Sequence, residues 1–216
     1  MIIGVNGHDE IFSKVIPSLT KLASLCKDSE GIWLLGGSCS LWLQDVSIST
    51  TPNDIDVYAD MDEVEGIHSQ LAEYAVDKPR LDDTELYHSC LSHYQIEGLT
   101  MELVGGFEVR AAGAHYRTEI QDVLSSEAPQ WKSGHSVISL MPLAHEFVFN
   151  ILRNRPDRYL AIAVLIRNNP SKHLPLLSKL LARNEWSADL VAKMAEILDQ
   201  PLLSAQWNEH RRNGKE

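Results

Sequence analysis

Apolar residues recur at steps of three or four through Ile11, Val15, Leu19, Leu22 and Cys26, a pattern that predicts a helix over residues 9–28. Pro17 falls inside that pattern and is expected to kink or split the helix, because proline removes an N–H and clashes with the preceding turn. The apolar run Gly31-Ile32-Trp33-Leu34-Leu35 reads as a buried strand, and Gly36-Gly37-Ser38 breaks it. A short helix over 38–45 should turn Leu41 and Trp42 inward. Residues 47–53 are a polar loop. Residues 54–59 then alternate polar and apolar as a strand does, and 62–75 form an amphipathic helix with Val64, Ile67, Leu71 and Tyr74 on one face.

Two further strands are expected over 86–96 and 99–104, joined through Glu97-Gly98, with Gly105-Gly106 ending the second. Residues 136–140 are another strand candidate. After Pro142 the pattern is helical throughout, over 143–153, 157–168, 172–183, 187–199 and 202–212. Asp157, Ser171 and Ser187 are the expected N-caps, and Pro156, Pro170 and Pro201 mark boundaries. Trp33, Trp42 and Trp131 read as core or interface aromatics. The fold class is therefore α/β to α+β: a short mixed sheet flanked by helices over residues 1–141, then a helical C-terminal segment over 142–216.

Charge follows the same division. Residues 1–141 carry 8 Lys/Arg against 22 Asp/Glu, and residues 142–216 carry 11 against 8. Over the 216 residues the net charge is −11, which argues against a generic DNA-coating role, since such binding rests on cationic contacts to phosphate. Hydrophobic residues make up 44% and charged residues 23%, which excludes global disorder. No apolar run reaches the roughly 18 residues that a membrane span needs, and the N-terminus has no signal-peptide pattern. Three widely spaced cysteines, Cys26, Cys39 and Cys90, do not make a disulfide framework and point to a reducing cytoplasm.

Three elements carry candidate chemistry. The strand–Gly36-Gly37-Ser38–helix order leaves unpaired backbone N–H groups that suit a phosphate, although a tight turn alone would explain the glycines. Two other uses of such a turn fail on the residues. A Walker phosphate loop needs Gly-Lys-Ser/Thr, and a nucleophile elbow needs a glycine where Ser40 stands. The second element is Asp54-Ile55-Asp56-Val57. It puts two carboxylates on one face of a strand, where they repel unless a cation lies between them, and oxygen-only ligands favour Mg²⁺ or Mn²⁺ over zinc. A solvated edge strand is the alternative. The third is Glu102, a lone carboxylate between Met101 and Leu103, with Glu97 and Glu108 as rival positions. His88, Cys90 and His93 do not make a zinc site, because alternation puts His93 on the face opposite the other two. His145-Glu146 lacks the second histidine of a His-Glu-x-x-His motif. Arg153, Arg155 and Arg158 read as a solvated helix junction, with a phosphate site as the alternative.

Taken together, Leu34-Leu35-Gly36-Gly37-Ser38, Asp54-Ile55-Asp56-Val57 and Met101-Glu102-Leu103 resemble the nucleotidyltransferase superfamily with the polymerase beta-like fold. Residues 139–143 followed by Arg153-Asn154-Arg155-Pro156-Asp157-Arg158 resemble, more loosely, the abortive-infection (AbiEii-like) branch. That branch's usual lysine is absent from 146–150, and no basic residue precedes the Asp-x-Asp strand in 49–52. The resemblance implies transfer of a nucleoside monophosphate from an NTP, with ATP the first choice, to an acceptor hydroxyl. Asp54, Asp56 and Glu102 would be the catalytic and metal-holding residues for Mg²⁺ or Mn²⁺. Gly36, Gly37 and Ser38 would hold the nucleotide's phosphates. The acceptor is left open among a small molecule, a tRNA end and a protein. A nucleotidyltransferase-like binding module without catalysis is the alternative: the missing basic residues favour it, and the intact acidic trio favours the enzyme.

Overall fold

The structure is a computed structural model and describes residues 6–27 and 31–213, with side chains over 14–27 and 31–209. It divides into two compact units. The first comprises the described residues up to Asp83, with His88–Phe107 and Thr118–Met141. The second comprises Thr84–Tyr87, Glu108–Arg117 and the described residues from Pro142 on.

Unit 1 is built on a sheet of β1 (Trp33–Gly36), β2 (Asp54–Ala59), β3 (Arg80–Asp83), β4 (Tyr87–Ile96) and β5 (Leu99–Ala111). The strand order is β1-β2-β5-β4-β3. β2 is antiparallel to β1 and parallel to β5, so the sheet is mixed. Its core face presents Leu35, Ile55, Val57, Met101, Leu103, Tyr94 and Ile96. Against it lie α1 (Asn6–Leu25), through Val15, Leu19 and Leu22, and α3 (Val64–Leu71), through Val64, Ile67 and Leu71. Trp33, Trp42 and Trp131 pack on the margin of this cluster. α2 (Gly37–Leu43) follows β1 directly, and a hairpin of β7 (Gln130–Ser133) and β8 (Ser136–Ser139) completes the unit. Leu140 bridges in parallel to Leu35 along the outer edge of β1.

The register of β2 follows from its alternation. Slipping it by one residue would bury Asp54 and Asp56 and expose Ile55 and Val57. Each apolar side chain would forfeit about 1.5–3 kcal/mol, before the cost of desolvating two carboxylates.

Several expectations are corrected. α1 continues through Pro17 without being split; that residue is exposed and lies on the helix's outer side. β5 does not end at Gly105-Gly106 but runs on to Ala111. These glycines admit neighbours rather than end the strand, since a Cβ on Gly105 would lie 2.0 Å from Val64 of α3. The turn at Glu97-Gly98 is as expected, with φ of 49° and 82° at the two residues, the paired positive values of a tight hairpin.

Unit 2 contains β6 (Ala114–Arg117), paired with the Glu108–Ala111 end of β5, and five helices. These are α4 (Leu143–Leu152), α5 (Pro156–Asn168), α6 (Pro170–Arg183), α7 (Ala188–Leu198) and α8 (Leu202–Asn213). Ser187 caps α7 by accepting from the Leu190 N–H. Asp157 and Ser171 are not caps. α5 and α6 start earlier, at Pro156 and Pro170, because proline suits the first helical position, where its missing N–H has no partner to lose. Asp157 instead pairs with Arg155, at 2.8 and 3.0 Å. Arg153 lies over the Phe149 ring, 4.7 Å from its centroid.

α4 is buried along its whole length, including His145, Glu146 and Asn150. His145 Nδ1 lies 2.7 Å from the Tyr116 hydroxyl, and Asn150 Nδ2 donates to Glu146 Oε2. Burial pushes the His145 pKa down to about 3, from an ordinary 6.5. Between those values the unfolded chain binds a proton that the folded chain does not. The residue's contribution to stability is therefore full above pH 6.5 and declines as the pH falls toward 3. Melting curves at pH 7 and pH 4 should show a smaller acid-induced loss for His145→Gln than for the native chain. Equal losses would remove His145 from the acid response.

Candidate active site

The face of the sheet opposite the core carries the acidic residues. Along β2 the positions that are not buried are Asp54 and Asp56, half-buried on either side of buried Ile55; in the stretch of β5 paired with them, Leu99–Leu103, they are Thr100 and Glu102. Parallel pairing sets Asp54 beside Thr100 and Asp56 beside Glu102. Residues paired across neighbouring strands present their side chains to the same face. Asp54, Asp56 and Glu102 therefore share one face of two adjacent strands.

On the other side of β2, Gly36 pairs with Asp56. Gly37 has φ of +60°, and a Cβ there would lie 1.7 Å from Asp56 Oδ2. The glycine is thus required twice, by its backbone conformation and by the carboxylate that occupies the space of a side chain. Ser38, at 5% exposure, points its Oγ at Asp54 Oδ1 across 3.5 Å. Cys39 donates its thiol to the Asp54 backbone carbonyl at 3.1 Å. Burial pushes the Cys39 pKa above the ordinary thiol range, and the charges of Asp56 and Asp54 push the same way, so this cysteine stays protonated and is not a nucleophile. Gly36, Gly37 and Ser38 therefore lie against the two aspartates, and Glu102 is on the next strand.

The rival carboxylates are differently placed. Glu97 is in the β4–β5 turn. Glu108, in unit 2, is held by His115 at 2.7 Å, Arg117 at 2.9 Å and Arg110 at 3.3 Å. Burial raises its pKa, but the hydrogen bonds from His115 and Arg117 outweigh burial and hold it below the usual carboxylate range.

One group at the site was set aside in the sequence. His93 of β4 takes Asp77 as a partner twice: its backbone N–H donates to Oδ1 at 2.7 Å, and its ring Nδ1 lies 2.8 Å from Oδ2. Its Nε2 is 3.8 Å from Glu102 Oε1. Burial raises the Asp77 carboxyl, but the hydrogen bonds from His93 bring it below its ordinary value. Alternation had separated His93 from Cys90 correctly, since Cys90 packs on the core cluster. Only the pairing of strands showed what His93 faces.

Among the described residues, no three His, Cys, Asp or Glu side chains converge tightly enough to enclose a metal by themselves. The donors along β2 and β5 are hard carboxylate oxygens. Mg²⁺ is commonly held by one or two such groups together with substrate phosphates and waters, and the donor set fits that mode.

The fold has counterparts among solved structures. A candidate nucleotidyltransferase from Thermotoga maritima aligns over 66% of this chain and 86% of its own, with 22% identity and a TM-score of 0.57. The fold is nucleotidyltransferase-like. Two looser alignments are to the lincosamide antibiotic adenylyltransferase LnuA bound to lincomycin (11% identity, 61% of this chain and 83% of that one, TM-score 0.39) and to ANT(2'')-Ia in complex with adenylyl-2''-tobramycin (11%, 94% and 99%, 0.42). No protein-family profile and no curated protein matches the sequence. In the nucleotidyltransferase-like fold, then, the β1–α2 turn and the open faces of β2 and β5 carry the candidate residues. Among the described residues no helix is long and apolar enough to cross a membrane.

Proposed function

We propose that this protein is a nucleotidyltransferase that moves a nucleoside monophosphate, from ATP in the first instance, to an acceptor hydroxyl and releases pyrophosphate. The observation that carries the reading is the pairing of Asp56 with Glu102 on parallel strands, with Gly37 left open by a carboxylate where a side chain would be. In this reading residues 1–141 are the catalytic part and 142–216 a helical segment.

Mg²⁺ or Mn²⁺, held by Asp54, Asp56 and Glu102, would neutralise charge on the attacking and leaving oxygens when bound. The chain's own residues do the positioning. The absence of a side chain at Gly37 lets the Asp56 carboxylate sit against the β1–α2 turn, and the Ser38 hydroxyl, directed at Asp54, is a side-chain donor that could turn to a phosphate there. The acceptor oxygen attacks the α-phosphorus, the bond to the bridging oxygen of pyrophosphate breaks, and the hydroxyl proton is released. Such a reaction depends chiefly on alignment and charge neutralisation, so few residues suffice.

The acceptor class remains a small molecule, a tRNA end or a protein, and the AbiEii-like branch remains the proposed relation. Three cysteines without disulfides accord with a cytoplasmic protein. Titration with ATP, with and without Mg²⁺, tests the reading: metal-dependent binding supports the enzyme, metal-independent binding supports a non-catalytic module, and no binding overturns both. Incubating the protein with each α-phosphate-labelled NTP and a cell extract then shows where the label lands.

A further inference from the structure

The Asp77–His93 pair is not used by the reaction as described above, yet it is aimed at one of the proposed metal-holding carboxylates. A carboxylate only accepts hydrogen bonds, so the ring of His93 donates through Nδ1 to Asp77 Oδ2 at 2.8 Å. A second bond, from the His93 backbone N–H to Asp77 Oδ1, fixes the same carboxylate from its other oxygen. In the neutral ring this leaves Nε2 as a bare lone pair. Nε2 lies 3.8 Å from Glu102 Oε1. This distance is too long for a direct hydrogen bond. In that tautomer the two atoms are both electron-pair donors, and a cation between them would be held by both. The separation is close to twice the roughly 2 Å of a metal–ligand bond, so one ion can reach both atoms. A carboxylate accepting from the far nitrogen is also the usual outer partner of a histidine that binds a metal.

We propose that His93 Nε2 and Glu102 jointly ligate the divalent ion on the Glu102 side of the site, with Asp77 as the outer carboxylate that fixes the ring. The inference rests on the nucleotidyltransferase reading and adds to it a nitrogen ligand and a metal preference. Imidazole binds Mn²⁺ and the later first-row ions better than Mg²⁺, which keeps to oxygen. The ion on this side is therefore Mn²⁺ or a similar transition ion in preference to Mg²⁺. Nucleotide phosphate and water supply the remaining ligands, as is common where a protein offers only one or two.

The test uses the full chain labelled with ¹⁵N in its histidines alone, loaded with Mn²⁺ together with a non-hydrolysable ATP analogue. Pulsed electron paramagnetic resonance on the bound Mn²⁺ reads ¹⁵N coupling from a ligating imidazole, independently of any turnover. The native chain should show the coupling and His93→Gln should lose it, with the preference for Mn²⁺ over Mg²⁺ falling about tenfold. Asp77→Asn is the second variant. Its amide keeps an acceptor for the backbone N–H but presents a donor to Nδ1, which moves the ring hydrogen to Nε2 and blocks the lone pair. It should lose the coupling with His93 still in place, and thermal melting of both variants confirms that they are folded. Bound Mn²⁺ without histidine coupling in the native chain, or coupling that survives in His93→Gln, overturns the inference and leaves the nucleotidyltransferase reading standing. No bound Mn²⁺ in the native chain, with or without the analogue, overturns both.

Discussion

Replacing Asp56 by Asn will abolish metal-dependent nucleotide transfer while leaving the protein folded. Asp56 lies between Gly36 on β1 and Glu102 on β5, on the same face as Asp54. Losing one of the carboxylates proposed to hold the metal would remove several kcal/mol of charge stabilisation; about 4 kcal/mol corresponds to a roughly thousandfold lower rate. Like charges gathered on one face destabilise one another without a cation, so the variant's metal-free melting temperature should be equal to or higher than the native value. Added Mg²⁺ and nucleotide should stabilise the native chain far more than the variant, because a ligand that binds only the folded state raises its stability by mass action. A structural Asp56 predicts the reverse: a large fall in melting temperature on substitution, and no response to Mg²⁺ in either protein. That result would remove Asp56 from the active site.

Gly37→Ala will cost both stability and function. At φ of +60° an alanine carries a backbone penalty of about 1–2 kcal/mol, and its Cβ would fall 1.7 Å from Asp56 Oδ2, so the carboxylate must move. For a chain of this size that penalty corresponds to a fall of about 2–8 °C in melting temperature. Because the atom displaced belongs to Asp56, Mg²⁺-dependent ATP binding should weaken at least tenfold even at temperatures where the variant is fully folded. Gly98→Ala is the control: it has φ of +82° but nothing within 4 Å of the added Cβ, so it should show the thermal loss alone. If both variants bind Mg²⁺ and ATP like the native chain, the β1–α2 turn has no part in holding the nucleotide.

Much of the fold was legible because its elements bury one face each. The alternation of Asp54-Ile55-Asp56-Val57 appears in β2 over the expected residues. The apolar positions Val15, Leu19, Leu22, Val64, Ile67 and Leu71 all reach the core. Elements that bury no face left no such signal. β3, Arg80–Asp83, is exposed at every position and is a strand only because β4 pairs with it. β7 fully buries none of its four positions, and β6 buries only Ala114 and Tyr116. The extension of β5 past Gly105-Gly106 was hidden for a different reason. Glycine signals a break when only local preference counts, but here it makes room for Val64.

For the site, sequence alone determined which residues carry the candidate chemistry and, by the two-residue period of a strand, that Asp54 and Asp56 share a face. The family resemblance singles out Glu102, but the residues alone do not show which of Glu97, Glu102 and Glu108 lies beside Asp56, because that depends on which strands are neighbours and in what register, and both are long-range properties. Tertiary structure sets Glu102 beside Asp56 and surrounds Glu108 with His115, Arg117 and Arg110. It also brought Asp77, 16 residues before His93 in the chain, onto that histidine's ring, and set the ring toward Glu102. Local pattern fixes the direction in which a side chain points; only the packing of distant segments fixes what it meets there.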